Sequence, residues 1–301
     1  MGKIIWITGA SGFSARHLVS NLRRNEPDSR LIGLARQPAA NPDFDAWHAA
    51  DITDAESWKQ AVSADPPDLV YHLAGAVHPA AEDLLWFTNV AATRLLIEAI
   101  STSGKPTVRL LVSSSAAVYR PTPETVDEQA HAGGANAYGR SKWGQEQIAL
   151  ASGREFGVEV IIARAFNLIG PGLPERLLAG RVCAQCLDST DRCIKTGDLS
   201  AVRDFIDIRD AVEAYRLLMD QGVDGGIYNV ASGEGISVRI LVETLAKLAG
   251  GLEVVESREF GNRGVDRSCG NFSKLAALGW KPQYPLKHSL QDMLEAASRP
   301  S

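Results

Sequence analysis

No continuous apolar stretch in this 301-residue sequence is long enough for a bilayer-spanning helix. The opening Met1–Thr8 runs straight into a strand-like segment, without the basic, apolar and cleavage regions of a secretory leader. The expectation is a cytoplasmic protein with no membrane partner. Basic charge is not in excess either: 31 Lys and Arg stand against 36 Asp and Glu, for a formal net charge of -5. That balance gives no reason to expect nucleic acid, although local arginines can still hold an anionic ligand. There is no internal repeat and no low-complexity tract. Cysteine is scarce: Cys183, Cys186 and Cys193 lie close together and Cys269 stands apart. A Cys-x-x-Cys pair can suit a metal or a redox couple, but no histidine lies near it in sequence. The flanking PERLLAGRVCAQCL reads as helix, with Cys183 and Cys186 one turn apart. Plain packing is the expected role and no metal is expected, with metal binding and disulfide chemistry as the alternatives.

What is present is ordinary globular composition, 45% apolar and 22% charged. The length suits one domain, or one domain with a lobe attached. KIIWIT, RLIGLAR, DLVYHLAG, VRLLVSSSAAVY and VEVIIARAFN read as buried strands. SARHLVSNLRR, AESWKQAVSA, AEDLLWFTNVAATRLLIEAI and YGRSKWGQEQIALASGREF between them have helical periodicity. The alternation predicts an α/β fold: a Rossmann-type parallel sheet with helices on both faces. After Pro171 the pattern changes. DFIDIRDAVEAYRLLMDQ reads as one helical region and GGIYNVAS as a strand. Residues 1–165 are expected to form the dinucleotide domain and 166–301 mainly a smaller C-terminal substrate-binding lobe, with segments near 203–210 and 225–231 returning to the main body.

The first strand runs into Thr8-Gly9-Ala10-Ser11-Gly12-Phe13 and then a helix. Glycines at 9 and 12 let the backbone turn and approach a pyrophosphate, which the helix N-terminus then receives. A glycine pair alone is a weak signal; the strand–turn–helix setting strengthens it against an incidental tight turn. The third small position of the fingerprint is Ala15, compatible with close helix–sheet packing. Gly9, Ser11, Gly12 and Phe13 are therefore expected to contact the dinucleotide. The second strand ends Leu34-Ala35-Arg36, with a guanidinium where an NAD site carries a carboxylate. A guanidinium suits the 2'-phosphate of NADP, against the plainer reading of a solvated arginine. NADP(H) is the expected cofactor, with NAD(H) as the alternative. Asp51 and Ile52, at the end of the third strand, fall where an adenine edge would lie, and Leu73, Ala74 and Gly75 leave room beside the fourth.

Tyr138 and Lys142 are four residues apart at a helix start, hence on one face. A neighbouring ammonium is expected to lower the phenol pKa and ready Tyr138 for proton transfer, and Lys142 to hold the nicotinamide ribose. Ser113-Ser114-Ser115 end a parallel strand at the edge where such folds keep their sites, and Ser115 is the expected partner of a carbonyl oxygen. Tyr-x-x-x-Lys by itself is common and can be a plain exposed pair; joined to the glycine loop and the serine-ended strand, it points to catalysis.

TGASGF, HLAGAVHP, Asn89 in FTNVAATRLL, VSSSAAVY, YGRSK, ARAFNLIGPG, VRDFIDIRDAVEAY, YNVASGEG, RGVD and LGWKP occur in this order over almost the whole chain. On these pieces the sequence resembles the extended short-chain dehydrogenases that act on nucleotide sugars. The resemblance implies that Ser115, Tyr138 and Lys142 are a catalytic group. It implies a nucleotide-diphospho sugar as substrate, with Asn167, Arg203 and Arg263 near its diphosphate and nucleotide and Asp266 on its ribose. For Arg203 a structural ion pair with Asp204 or Asp207 is the plainer alternative, and around Arg263 the sequence departs from the family. Asp207 and Asp210 are expected to orient the following helix and its arginines.

The VRDFIDIRDAVEAYRLL, IYNVASGEG and GWKP segments bring the likeness nearest to the branch that reduces GDP-4-dehydro-6-deoxy-D-mannose at C4. Related 4,6-dehydratases carry an acid directly after the catalytic Ser or Thr; here Ala116 and Ala117 follow Ser115. Related 4-epimerases usually carry a ribose-binding acid on the second strand, where this chain has Ala35 and Arg36. A reductase with exchangeable NADPH fits both absences. The alternatives are a 4-epimerase or dehydratase, a reductase of a dTDP- or UDP-linked ketosugar, and a dinucleotide-binding redox sensor without turnover. An epimerase–reductase would need a further acid/base pair, and His131 has no cysteine that the sequence pairs with it. The resemblance also implies a homodimer through helices near 82–103 and 138–156.

Overall fold

A computed structural model of the chain describes residues 2–37, 41–77, 79–188, 192–256 and 267–298. The chain divides into two compact units, one of Met1–Arg120, Ala130–Ala165 and Val212–Tyr228, the other of Pro121–Gln129, Phe166–Ala211 and Asn229–Ser301.

The first unit is built around β1 (Ile4–Thr8), α1 (Phe13–Asn25), β2 (Arg30–Ala35), β3 (Ala46–Ala49), α2 (Ala55–Ala64), β4 (Leu69–His72), α3 (Glu82–Trp86), α4 (Ala92–Ile100), β5 (Arg109–Ser115), α5 (Ala137–Phe156) and β6 (Glu159–Ala165). The sheet order is Ile227–Val230, β6, β5, β4, β1, β2, β3. Each registered pair from β6 to β3 is parallel. Strands covered on both faces read as continuous apolar runs, and Ile5, Trp6, Ile7, Val70, Leu110 and Ile162 are fully buried. Trp6 stacks on Trp58 of α2 with ring centroids 6.4 Å apart. The order reverses between β1 and β4, so the loops after these strands open the crevice that serves ligands in such sheets.

Local chemistry sets the helix ends. Asp54 caps α2 by accepting from the amides of Glu56 and Ser57. Asn136 caps α5 through Gly139 N–H at 2.8 Å, and Gly157 ends it in the left-handed region at φ 72°. The long helix expected over 82–100 contains a π turn at Phe87–Ala91, a feature frequent at functional sites.

In the second unit Val202–Asp207 pairs antiparallel with Gly235–Ser237 and parallel with Arg267–Ser268 and Asn167–Ile169. Helices Leu178–Leu187, Val238–Leu248 and Leu286–Ala297 belong to the same unit, as does the parallel pair Cys193–Thr196 and Glu253–Glu256.

Two expectations need correction. DFID is strand rather than helix, and helix begins only at Ile208. Val202–Asp207 is flanked on both sides by strands that pair with its backbone, and this tertiary setting overrides an apolar spacing that fits helix and strand alike. The stretch 203–210 accordingly stays in the second unit; the return to the first is made by Val212–Tyr228, and Pro121–Gln129 leaves it.

Candidate active site

Every candidate residue of the first unit sits at the carboxyl edge of the sheet or on α5. Gly9 follows β1 at φ 65°, and a Cβ there would lie 2.9 Å from the Ala74 backbone in the loop after β4. Glycine alone lets these two loops approach so closely. Gly12 N–H donates to Gly9 O at 2.8 Å, closing the turn onto α1. The first turn of α1 has no capping side chain and no acidic residue. Its amides and the positive end of its dipole therefore suit an anion. This cradle fits the pyrophosphate of a dinucleotide, with Ser11 and Gly12 exposed at its mouth. Arg36 is exposed just past β2, and its charge reaches Asp51. Hydrogen bonds from Thr53 N–H and Oγ1, at 2.9 and 2.7 Å, hold the Asp51 carboxyl below its ordinary range, with a smaller contribution from Arg36. Ile52 is half-buried beside it.

Ser115 ends β5 and caps the turn Ala116–Val118, its Oγ accepting from Ala117 N–H at 3.2 Å. A Cβ at Gly139 would lie 2.2 Å from Ala117 O, so the first turn of α5 rests directly on the turn that carries Ser115. This contact brings the Tyr138 phenol beside Ser115. Burial raises the Tyr138 pKa and the neighbouring Ser115 hydroxyl opposes it, so the phenol stays above its usual value. The expected lowering by lysine is not what the structure has. Lys142 instead donates to Ser113 O at 2.6 Å and to Gln145 Oε1. Burial lowers Lys142 from 10.5 to about 8, against the charge of Glu146.

Around these residues lies a buried polar network that sequence reasoning missed. Thr8 and His72 are register partners at the ends of β1 and β4, bonded Oγ1 to Nδ1 at 2.8 Å. His72 Nε2 meets Thr93 Oγ1 at 3.0 Å, and Gln145 Nε2 donates to the same hydroxyl at 2.9 Å. Asn89, fully buried on the π turn, accepts from Ala76 N–H at 2.8 Å and donates to Ser141 Oγ at 3.0 Å. It pins the loop after β4 to the Tyr138 helix. A second cluster joins Glu146 to Arg164 at 2.7 and 3.0 Å and to Ser114 Oγ at 2.5 Å. The available signals were a polar residue closing an otherwise apolar strand, and helical spacings such as Lys142 to Gln145 and Asn89 to Thr93.

In the second unit, Asn167 Nδ2 donates to Asp204 O at 2.9 Å and Arg203 Nη1 to Val202 O at 2.8 Å. Asp204 accepts from the amides of Ser232, Gly233 and Gly270. Asp207 holds Arg209 at 2.7 Å, as expected, whereas Asp210 accepts from the Gln283 and Tyr284 amides and so anchors that segment rather than an arginine. Arg263 and Asp266 lie outside the described residues. All four cysteines are free thiols; burial pushes Cys183 and Cys186 up to about 11, which disfavours the nucleophilic thiolate. Among the described residues no cluster of metal-ligating side chains occurs, and no helix is long and apolar enough to cross a membrane.

The model of the NAD dependent epimerase/dehydratase family matches residues 5–231. The chain belongs to this family, the extended short-chain dehydrogenases, whose members are NAD(P)-dependent enzymes of nucleotide sugars. It is 29% identical to GDP-6-deoxy-D-mannose reductase of Pseudomonas aeruginosa, over 98% of this chain and 97% of that one. The structure of RMD from Pseudomonas aeruginosa complexed with NADPH superposes with a TM-score of 0.83 at 28% identity, covering 98% of both chains. MoeE5 in complex with UDP-glucuronic acid and NAD gives a TM-score of 0.84 at 25% identity, over 97% of this chain and 98% of that one. A trifunctional UDP-glucose 4,6-dehydratase/UDP-4-keto-6-deoxy-D-glucose 3,5-epimerase/UDP-4-keto-L-rhamnose-reductase of Arabidopsis thaliana is 27% identical over 97% of this chain but only 47% of its own length.

Proposed function

We propose that this chain reduces the C4 ketone of a nucleotide-diphospho-4-keto-6-deoxyhexose with NADPH, and that the substrate is GDP-4-dehydro-6-deoxy-D-mannose, giving GDP-6-deoxy-D-mannose. The observation that carries the reading is the packing of the first turn of α5 on the turn after β5, which sets Tyr138 beside Ser115 at the carboxyl edge of the sheet with Lys142 one turn further along α5, and with Ala116 and Ala117 where a dehydratase would need an acid. The likeness to the Pseudomonas aeruginosa reductase supports the GDP-linked sugar.

Gly9, Ser11, Gly12, Phe13 and the α1 terminus would hold the pyrophosphate of the dinucleotide. Arg36 would hold a 2'-phosphate, Asp51 and Ile52 the adenine end, Leu73, Ala74 and Gly75 the face beside β4, and Tyr138 and Lys142 the nicotinamide ribose. NAD(H) is the alternative cofactor. When bound, the nicotinamide supplies the hydride. Ser115 and Tyr138 present two hydroxyl donors to one carbonyl oxygen, where negative charge grows during reduction. Because burial keeps Tyr138 protonated at neutral pH, its O–H bond breaks toward that oxygen and the alkoxide leaves as an alcohol. Lys142, held by Ser113 O and Gln145 Oε1, would add its positive charge to the site in which the phenolate forms. Asn167, Arg203 and Arg263 would serve the nucleotide diphosphate, a doubly charged group suited to guanidinium, and Asp266 the ribose.

We also propose a homodimer through α3, α4 and α5. Leu84, Trp86, Phe87 and Trp143 are large apolar side chains left exposed on these helices, and light scattering measures the assembly. Four free thiols suit a reducing compartment, the cytoplasm.

The test is NADPH consumption with GDP-4-dehydro-6-deoxy-D-mannose, with NADH run in parallel. Rapid oxidation that is lost in Tyr138→Phe is the expected result. No oxidation with either cofactor overturns the GDP assignment, and the dTDP- and UDP-linked ketosugars and the epimerase reading move ahead.

A further inference from the structure

We infer that Gln145 is the positioning residue that fixes the Lys142 ammonium, and that Thr93 and His72 lock its amide so that oxygen faces the lysine. The inference rests on the reading of Lys142 as a member of the working group.

The hydrogen bonds admit one assignment. The Thr93 hydroxyl gives its only proton to Asn89 O, so toward His72 Nε2 it can only accept; the neutral ring then accepts at Nδ1 from Thr8 Oγ1 at 2.8 Å, which itself accepts from Ala74 N–H at 3.1 Å. His72 therefore carries its proton on Nε2 and donates it to Thr93 Oγ1 at 3.0 Å. The Thr93 hydroxyl donates to Asn89 O at 2.7 Å, one turn back on its own helix. Its remaining acceptor capacity is taken by His72 and by Gln145 Nε2 at 2.9 Å. A flipped Gln145 would turn its oxygen toward a hydroxyl whose only proton is committed, and its NH2 group toward an ammonium. The amide is thus held with Oε1 on Lys142 Nζ. His72 stays neutral because burial, helped by the Lys142 charge, lowers it to about 3. A charged imidazole would have to donate at Nδ1 as well and would break the order at Thr8.

Thr8, His72, Gln145 and Thr93 are all at or near zero exposure. A buried polar network of this kind specifies one arrangement only when every member is satisfied. Lys142 has three N–H groups. Ser113 O and Gln145 Oε1 take two and leave one for a ligand. The same chain of bonds begins at Thr8, the last residue of β1, and at Ala74 in the loop after β4, both at the dinucleotide crevice. It ties the lysine to the ends of β1 and β4 rather than to α5 alone.

The experiment is a double-mutant cycle of Gln145→Leu and Lys142→Met, read on kcat and, separately, on NADPH affinity by fluorescence titration. Loss of one hydrogen bond to a charged group corresponds to about tenfold to a hundredfold in kcat. NADPH affinity should fall roughly threefold to tenfold, with KM for the ketosugar within about twofold. In the Lys142→Met background the same substitution should alter NADPH affinity by less than about twofold. Thr93→Val should reproduce the loss and Thr93→Ser, which keeps the hydroxyl, should restore it; this pair decides the matter if Gln145→Leu does not fold. A Gln145→Leu enzyme with the wild-type kcat and affinity, or full additivity in the Lys142→Met background, overturns the inference. Wild-type behaviour of Lys142→Met overturns instead the role given to the lysine.

Discussion

Replacing Glu146 by leucine removes one half of a buried ion pair. The Glu146 side chain is 0% exposed and that of Arg164 3%. The carboxylate accepts from Arg164 Nε at 3.0 Å and Nη2 at 2.7 Å, and from Ser114 Oγ at 2.5 Å. Arg164 also donates to the Tyr119 hydroxyl at 3.0 Å and lies 4.8 Å above its ring. Burial alone would lower the Arg164 pKa; the Glu146 bonds and charge outweigh it, so the guanidinium stays charged. Without Glu146 that charge remains in the core without its carboxylate, at a cost of about 3–5 kcal/mol. This is a large share of the roughly 5–15 kcal/mol that separates folded from unfolded chains, and it lowers Tm by roughly 5–8 °C. Urea denaturation followed by circular dichroism measures it, with an unchanged slope and a lower midpoint expected. The double variant Glu146→Leu, Arg164→Met removes both charges and should recover at least half of the loss. A single variant within about 1 kcal/mol of wild type, or a double variant no better than the single one, refutes the ion-pair reasoning. Glu146 is also the charge that opposes burial at Lys142, so activity should fall further than stability explains.

Lys142 makes stability depend on pH. Its pKa falls from 10.5 in the unfolded chain to about 8 in the fold, so between these values the native protein binds fewer protons. Stability therefore rises with pH across that window, by up to about 3 kcal/mol; urea curves at about pH 7.5 and pH 10 should show the rise in wild type and not in Lys142→Met, and equal slopes contradict it. Gly9→Ala forces a side chain into φ 65° and to 2.9 Å from the Ala74 backbone. It should cost about 1–3 kcal/mol and weaken NADPH binding about tenfold or more, read by thermal melting and fluorescence titration; unchanged binding would remove Gly9 from the site. Arg36→Ser should raise the NADPH Kd about tenfold or more and leave NADH within about twofold, whereas equal effects would mean that the guanidinium does not read the 2'-phosphate.

The first unit was largely legible because its strands are buried on both faces and its signals are local. A glycine turn between strand and helix, serines at a strand end, and Tyr138 and Lys142 one turn apart each declare themselves within a few residues. DFID was misread because its apolar spacing fits helix and strand alike; only the flanking strands, dozens of residues away, decide it. The direction of the Tyr138 pKa shift was misjudged for a similar reason. Spacing put Lys142 beside it, but whether an ammonium acts on a phenol depends on what else claims the ammonium, here Ser113 O and Gln145. The His72–Thr93–Gln145 chain joins three elements and has no sequence signature beyond polar residues in apolar settings.

The most direct test of the proposed chemistry is to follow the hydride itself. NADPH carrying deuterium at the transferable C4 position is supplied with GDP-4-dehydro-6-deoxy-D-mannose, and the nucleotide-sugar product is examined by mass spectrometry and NMR. A C4 ketoreductase yields product with deuterium at sugar C4 in step with NADPH consumed, and the label is lost with Tyr138→Phe. A sugar product without deuterium, formed while NADPH remains unconsumed, would contradict the reductase reading and point to an epimerase that returns its own hydride.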